Sequence, residues 1–132
     1  MKAPVDIRPS PIAGFWYTDD PRELADSVDR YMTQARLPPL DGEVVAVMAP
    51  HAGHRYSGAV AGYAFATLRG LQPELVAVIS PIHDYYPAAL LTSAHHAYET
   101  PLGVIQVDQE ALIALDERLE QNLGYRLAAI RR

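Results

Sequence analysis

The chain has 132 residues, of which 11 are lysine or arginine and 16 are aspartate or glutamate, so its formal net charge is −5. This acidic balance argues against a nucleic-acid-binding protein, which normally carries a basic patch. The sequence contains no cysteine, which excludes disulfides, cysteine-ligated zinc and a thiol nucleophile. The length predicts a single domain over residues 1–132.

Targeting and membrane signals are not recognisable in this sequence. Its first residues contain no apolar core of a signal peptide. No apolar run approaches the ~18 residues that a membrane-spanning helix needs. We therefore expect a soluble, cytoplasmic protein that binds neither membranes nor nucleic acid.

The first predicted elements are a proline-rich extended segment, which ends at Pro11, and an amphipathic helix over residues 21–35. Asp20 has the position and side chain of an N-cap, and Pro21 suits the first helical position. Glu23 completes a capping-box pattern. Local signals thus predict the beginning of this helix.

Two short apolar runs, residues 44–48 and 75–79, are typical of strands that are buried on both faces of a parallel sheet. Between them, Ser57 is expected to cap a helix that ends at Gly70. A strand, a helix and a strand in this order predict a right-handed βαβ unit.

The rest of the chain continues the alternation. Strands are predicted over residues 88–93, 103–107 and 125–130, and a helix between the N-cap Asp108 and Gly124. The sequence therefore predicts an α/β fold with a mostly parallel sheet flanked by helices.

Two histidines follow the two apolar runs at matching positions. His51 lies three residues after the first run and His83 four residues after the second, so they are 32 residues apart. A βαβ unit takes about 30 residues, and its parallel strands end at one sheet edge, where α/β folds bind ligands. Two imidazoles there are natural ligands for a divalent metal, since non-haem Fe(II) commonly takes two histidines and one carboxylate.

The neighbouring side chains also have ordinary interpretations. Core packing is the default for Trp16 and Tyr56, and an exposed loop position is the default for His54. A single loop histidine is also more often a surface residue than a metal ligand. The residues alone leave these alternatives open.

Several motifs together resemble the Memo family, also called protein B of the AmmeMemoRadiSam system. The motifs that carry the resemblance, in chain order, are Ala13-Gly14-Phe15-Trp16-Tyr17, Ala49-Pro50-His51-Ala52-Gly53-His54-Arg55-Tyr56-Ser57-Gly58, Ser80-Pro81-Ile82-His83, Tyr98-Glu99-Thr100-Pro101-Leu102-Gly103 and Val107-Asp108. They cover nearly the whole chain. The resemblance implies a fold similar to class III extradiol dioxygenases (LigB-like).

The resemblance also implies roles for individual residues. His51 and His83 correspond to metal-pocket positions, and Trp16 and Tyr56 to positions that line the same pocket. Memo proteins have been regarded as metal-dependent oxidoreductases and as proteins that bind phosphotyrosine peptides. The first interpretation implies a divalent metal, iron before copper or zinc. The second implies a non-catalytic module that binds a peptide or a partner.

The chain departs from the family pattern in three respects. Asp84 replaces the second histidine of a His-His pair, where it could supply a makeshift carboxylate, and His54 stands where tyrosine is common. The resemblance covers only the amino-terminal half of the family domain, so a truncated fold is expected. We therefore expect a homo-oligomer, or a partner chain that covers the open sheet edge. An inactive half-domain is a further alternative.

Overall fold

The computed structural model describes residues 6–131, in which helices and short strands alternate with long irregular connections. The helices are α1 (Pro21–Gln34), α2 (His54–Ala66) and α3 (Gln109–Leu123). The strands are β1 (Ile7–Arg8), β2 (Leu90–Ser93), β3 (Ala97–Thr100), β4 (Gly103–Gln106) and β5 (Leu127–Ile130). The chain is an α/β protein with parallel strand pairs, as predicted. Part of the predicted extended segment, residues 1–5, lies outside the described residues.

Contacts along the chain define two compact units, which are described separately below. The helical unit comprises residues 10–72 and 100–103 and contains α1 and α2. The sheet unit comprises residues 6–9, 73–99 and 104–131 of the described chain and contains α3 and most strand residues. The single-domain organisation over residues 1–132 stays a prediction.

Helix α1 confirms the predicted N-cap but not the predicted capping box. The Asp20 side chain accepts hydrogen bonds from the backbone N–H groups of Arg22 and Glu23. The Glu23 carboxylate, however, accepts from the Thr18 hydroxyl at 2.9 Å, and that hydroxyl in turn accepts from the Asp20 N–H at 3.2 Å. The Thr18 hydroxyl therefore bridges the Glu23 carboxylate and the Asp20 N–H, which would bond directly in a capping box.

The other two helices differ in how well local signals predicted them. α3 has Asp108 as N-cap, and Gly124 ends the helix in the left-handed region at φ 70°. A residue with a Cβ is strained there, which is why glycine is favoured. α2 begins at His54, before the predicted cap, because Ser57 instead donates its hydroxyl to the Ala52 carbonyl at 2.8 Å.

The strands form two small sheets. In the first, β1 pairs in parallel with β3, whose other neighbour is β4. The two residues between β3 and β4 can connect only antiparallel neighbours. In the second, β2 and β5 pair in parallel with Leu90 opposite Leu127. The strands predicted near β2, β4 and β5 are confirmed with shorter bounds.

The two predicted buried strands are wrong as descriptions of this structure. Residues 44–48 and 75–79 belong to neither sheet, and several of their side chains are exposed. The predicted βαβ unit therefore does not form around α2. An apolar run becomes a doubly buried strand only where neighbouring strands bind its backbone and layers cover both its faces. In the part of the chain that the structure describes, no strand pairs with either run.

Burial is sparse in the part of the chain that the structure describes. Among the described residues, the buried apolar side chains are those of Leu24 in α1 and Ala97 in β3, and the buried polar side chain is that of Ser57. Across residues 6–131, no helix combines the length and the apolar character required to cross a membrane.

Candidate functional site

A cavity of about 550 Å³ lies within the helical unit. Its walls come from the aromatic segment before α1, from α1 and α2, and from the loop that precedes α2. They are mainly apolar, and the residues that matter below are Trp16, Tyr17, Tyr31, His51, His54 and Arg69. A concave, mostly apolar surface with a few polar groups is the usual form of a ligand site.

Backbone contacts between two of the sequence motifs build one end of this cavity. The N–H of His54 donates to the carbonyl oxygen of Trp16 at 2.8 Å. A Cβ atom on Gly53 would lie 3.1 Å from that same oxygen, so glycine permits the close approach. The Tyr17 ring centroid lies 5.4 Å from that of His54, with the planes tilted by 38°. The aromatic motif thus holds the loop that contains His51.

Tyr31 of α1 supports the same loop from another side. Its hydroxyl donates to the carbonyl oxygen of His54 at 3.3 Å, and its ring meets that of His54 edge-on at 6.3 Å. Two glycines of α2 make room for Tyr31. A Cβ on Gly58 would lie 2.5 Å from the Tyr31 ring, and one on Gly62 would lie 2.6 Å from the Tyr31 carbonyl oxygen.

The structure places the sequence-predicted residues as follows. His51, His54 and Trp16 line the cavity, whereas the Tyr56 side chain is exposed. His83 and Asp84 belong to the sheet unit. Both are exposed and lie in a bend of the irregular stretch that precedes β2. That His51 and His83 share one metal stays a prediction.

The described residues contain no group of three histidine, aspartate or glutamate side chains arranged to hold a metal ion. In the helical unit, the imidazoles that line the cavity are those of His51 and His54. His54 is half-buried between two tyrosine rings, and His51 is exposed to solvent. His51 is therefore the more accessible donor of the two.

A comparison with known families assigns the chain to one of them. Residues 8–127 match the model of the Memo-like protein family. The chain belongs to the Memo family. It is 32% identical to a MEMO1 family protein of Pyrobaculum aerophilum over 111 residues, which are 79% of this chain and 40% of that protein. It is 30% identical to a MEMO1 family protein of Saccharomyces cerevisiae over 125 residues, 93% of this chain and 37% of that protein.

A MEMO1 family protein of Methanopyrus kandleri is 34% identical over 112 residues, again 79% of this chain and 40% of the relative. The chain thus spans about two-fifths of the length of the Memo relatives that it matches. The resemblance predicted from the motifs is confirmed as membership of the Memo family.

A second polar cluster, which sequence reasoning missed, lies in the sheet unit. Asp6 Oδ1 lies 3.0 Å from His95 Nδ1, and the other Asp6 oxygen is paired with Arg131. The hydrogen bond to His95, and after it the Arg131 guanidinium, hold the pKa of the Asp6 carboxyl below its ordinary value of 3.8. These residues are 89 and 125 positions away from Asp6. Only their positions beside strand ends could have indicated that they meet.

Proposed function

We propose that this Memo chain contributes a divalent-metal pocket in which His51 and His83 are ligands, within a LigB-like domain that serves metal-dependent oxidoreductase chemistry. Iron is the expected metal, before copper or zinc. The observation that carries the proposal is the position of His51 at an apolar, aromatic-walled cavity whose loop is fixed by Trp16 and Tyr31. The Memo motif Ser80-Pro81-Ile82-His83 adds the second imidazole.

The donor chemistry of these residues fits such an ion. Imidazole nitrogens are good ligands for iron, copper and zinc, and His51 is accessible from the cavity. A bound ion would supply a redox or Lewis-acid centre. The protein's part is to hold the His51 loop rigid through the Trp16 carbonyl and the Tyr31 hydroxyl. The apolar walls would exclude water from a substrate beside it.

Metal titration of single variants tests this proposal. We expect His51→Ala and His83→Ala each to weaken iron(II) or copper(II) binding by at least about 100-fold, since even the outer partners of metal ligands are worth about 10–100-fold. Isothermal titration calorimetry under anaerobic conditions measures the affinity for iron. The matched control is His96→Ala, because His96 is also an exposed histidine but lies outside the cavity lining. Equal metal binding by wild type and the double variant His51→Ala/His83→Ala would refute the proposal.

The same cavity favours a second candidate function, a non-catalytic module that binds a peptide with a phosphotyrosine side chain. The observation behind it is the combination of aromatic walls with Arg69, a guanidinium that also pairs with Asp29 at 3.1 Å. Arginine is well suited to phosphate, and an aromatic cavity to a phenyl ring. Fluorescence-polarisation titration with a phosphotyrosine peptide in EDTA tests it. Binding that survives EDTA and is lost in Arg69→Met supports this candidate, and absence of binding excludes it.

A further inference from the structure

One face of α2 leaves the cavity of the helical unit open along the whole helix. The α2 residues that line the cavity recur at helical spacing and form a single stripe: His54, Ser57, Gly58, Ala61, Gly62 and Phe65. Four of these six have a small side chain or none. Since α2 is roughly 20 Å long at a rise of about 1.5 Å per residue, the cavity has the form of a long groove between α1 and α2.

The two ends of this groove differ in chemistry. At the start of α2, the groove is bounded by the rings of Trp16, Tyr17 and Tyr31. Beyond the end of α2 it is bounded by Arg69, which, histidines aside, is the charged side chain among the described residues of the lining. Asp29 accepts a hydrogen bond from Arg69, but both side chains are at least half exposed, and such pairs contribute little. A guanidinium has five N–H donors, so Arg69 can bind a second carboxylate beside Asp29.

We propose that the groove binds an elongated apolar monocarboxylate, whose carboxylate pairs with Arg69 and whose apolar body lies along α2 toward the aromatic rings. The cavity volume of about 550 Å³ is in the range of small-molecule sites. One negative charge suits this site better than two, because the Asp29 carboxylate beside Arg69 repels a dianion more strongly. Binding itself requires no metal, whereas a role of such an acid as substrate rests on the proposed function.

The groove contains its own reporter, because Trp16 is the only tryptophan in the sequence and lies in the lining. We expect dodecanoate, titrated in EDTA below its micelle concentration, to change the Trp16 fluorescence with saturation at one molecule per chain. Dodecanol and dodecyltrimethylammonium should bind at least about tenfold more weakly, since they offer Arg69 no carboxylate. Decanoate should bind about 15-fold more weakly, because each buried methylene is worth about fourfold in affinity. No saturable change with dodecanoate, or equal affinities for the three dodecyl compounds, would overturn the proposal.

Substitution of Arg69 tests the carboxylate end of the groove. Arg69→Met should lower the affinity for dodecanoate by at least about tenfold and leave the affinity for dodecanol unchanged, because the apolar contacts remain. The matched control is Arg36→Met, since Arg36 is also an exposed arginine but lies outside the cavity lining. A loss of affinity for both ligands in Arg69→Met, or for neither, would contradict the pairing of the carboxylate with this guanidinium.

Filling the groove tests where the apolar body of the ligand lies. Ala61→Phe adds a ring to the lining stripe and should weaken both dodecanoate and dodecanol by at least about tenfold. The control is Ala59→Phe, an exposed position of α2 outside the lining, which should bind both ligands like the wild type. Equal affinities in these two variants would refute the groove as the site.

The outcomes also separate this inference from the proposed function. Because the titrations are made in EDTA, they are independent of a bound metal. Iron binding without dodecanoate binding would refute the inference alone. Saturable dodecanoate binding by a chain that fails to bind iron would support the inference and refute the metal pocket alone.

Discussion

Different kinds of contact stabilise the helical unit and the sheet unit internally. In the helical unit, α1 and α2 approach closely because Gly58 and Gly62 leave room for Tyr31. In the sheet unit, the ends of strands are joined by charged and polar groups instead. The first unit should therefore be sensitive to side-chain volume, whereas the second should be sensitive to charge and pH.

The polar contacts of the sheet unit occur at both ends of β5. Before the strand, Asp116 accepts the backbone N–H of Leu127 at 2.7 Å and pairs with Arg126 at 2.5 Å. After it, Arg131 pairs with Asp6. A short strand gains little from its own ladder, so side chains that accept its N–H groups or pair across its ends have a large share in holding it.

The largest effect is expected from removing the buried side chain of α1. Leu24 is only 4% exposed, so Leu24→Ala should lower the free energy of unfolding by about 2–4 kcal/mol. Urea denaturation followed by circular dichroism measures the loss. The control is Val60→Ala on α2, an exposed side chain, which should change stability by no more than about 0.5 kcal/mol. Equal losses in the two variants would show that α1 has no apolar core of its own.

A smaller loss is expected from enlarging the glycines that face Tyr31. Gly62→Ala should destabilise the chain by about 1–3 kcal/mol, because its Cβ would meet the Tyr31 backbone carbonyl, which cannot rotate away. Gly58→Ala meets only the Tyr31 ring and should cost less. Thermal unfolding of each variant checks this order.

A double-mutant cycle isolates the cause. In a Tyr31→Ala background the ring that Gly58 faces is gone, and Gly58→Ala should then stabilise the helix by up to about 1 kcal/mol through helix propensity. Gly62→Ala should remain destabilising in that background, since the main-chain oxygen is still present. If Gly58→Ala were equally destabilising with and without the Tyr31 ring, contact with that ring would not be the reason that glycine is needed at position 58.

Local signals predicted the helices of this chain well. Asp20 and Asp108 cap α1 and α3, and Gly124 ends α3, because each feature depends on a few neighbouring residues. The predicted start of α2 was wrong because the Ser57 hydroxyl, instead of capping the helix, donates to the Ala52 carbonyl. A serine hydroxyl can satisfy either role, and the sequence does not show which one is closer.

Features that depend on distant residues could not be predicted in the same way. Residues 44–48 and 75–79 have strand-like sequences, but a strand forms only where other strands are available beside it. The pairing of Asp6 with His95 likewise joins residues that no local pattern connects. For the candidate site, the motifs predicted roles for Trp16 and His51, which line one cavity in the structure, whereas the contribution of Tyr31 came only from the structure.

The smallest expected effect is the pH dependence of the free energy of unfolding that Asp116 causes in the sheet unit. The hydrogen bond from Leu127, followed by the Arg126 guanidinium, lowers the pKa of this carboxyl from its ordinary 3.8. A pKa that is lower in the folded state stabilises the fold fully above the unfolded value, and this stabilisation is lost as the pH falls through the folded value. Asp116→Asn should therefore be less stable than wild type by the same margin at pH 7 and pH 5.

Below pH 3.8 the margin between wild type and Asp116→Asn should shrink, which urea midpoints at pH 7, 5 and 3 would reveal. Arg126→Met separates the two causes. The hydrogen bond from the Leu127 N–H is the larger cause of the lowered Asp116 pKa. Most of the stability that Asp116 loses in acid should therefore still be lost when the Arg126 guanidinium is removed. If Arg126→Met abolished the loss instead, the ion pair would be what holds the start of β5, and the strand would depend on salt concentration rather than on a backbone hydrogen bond.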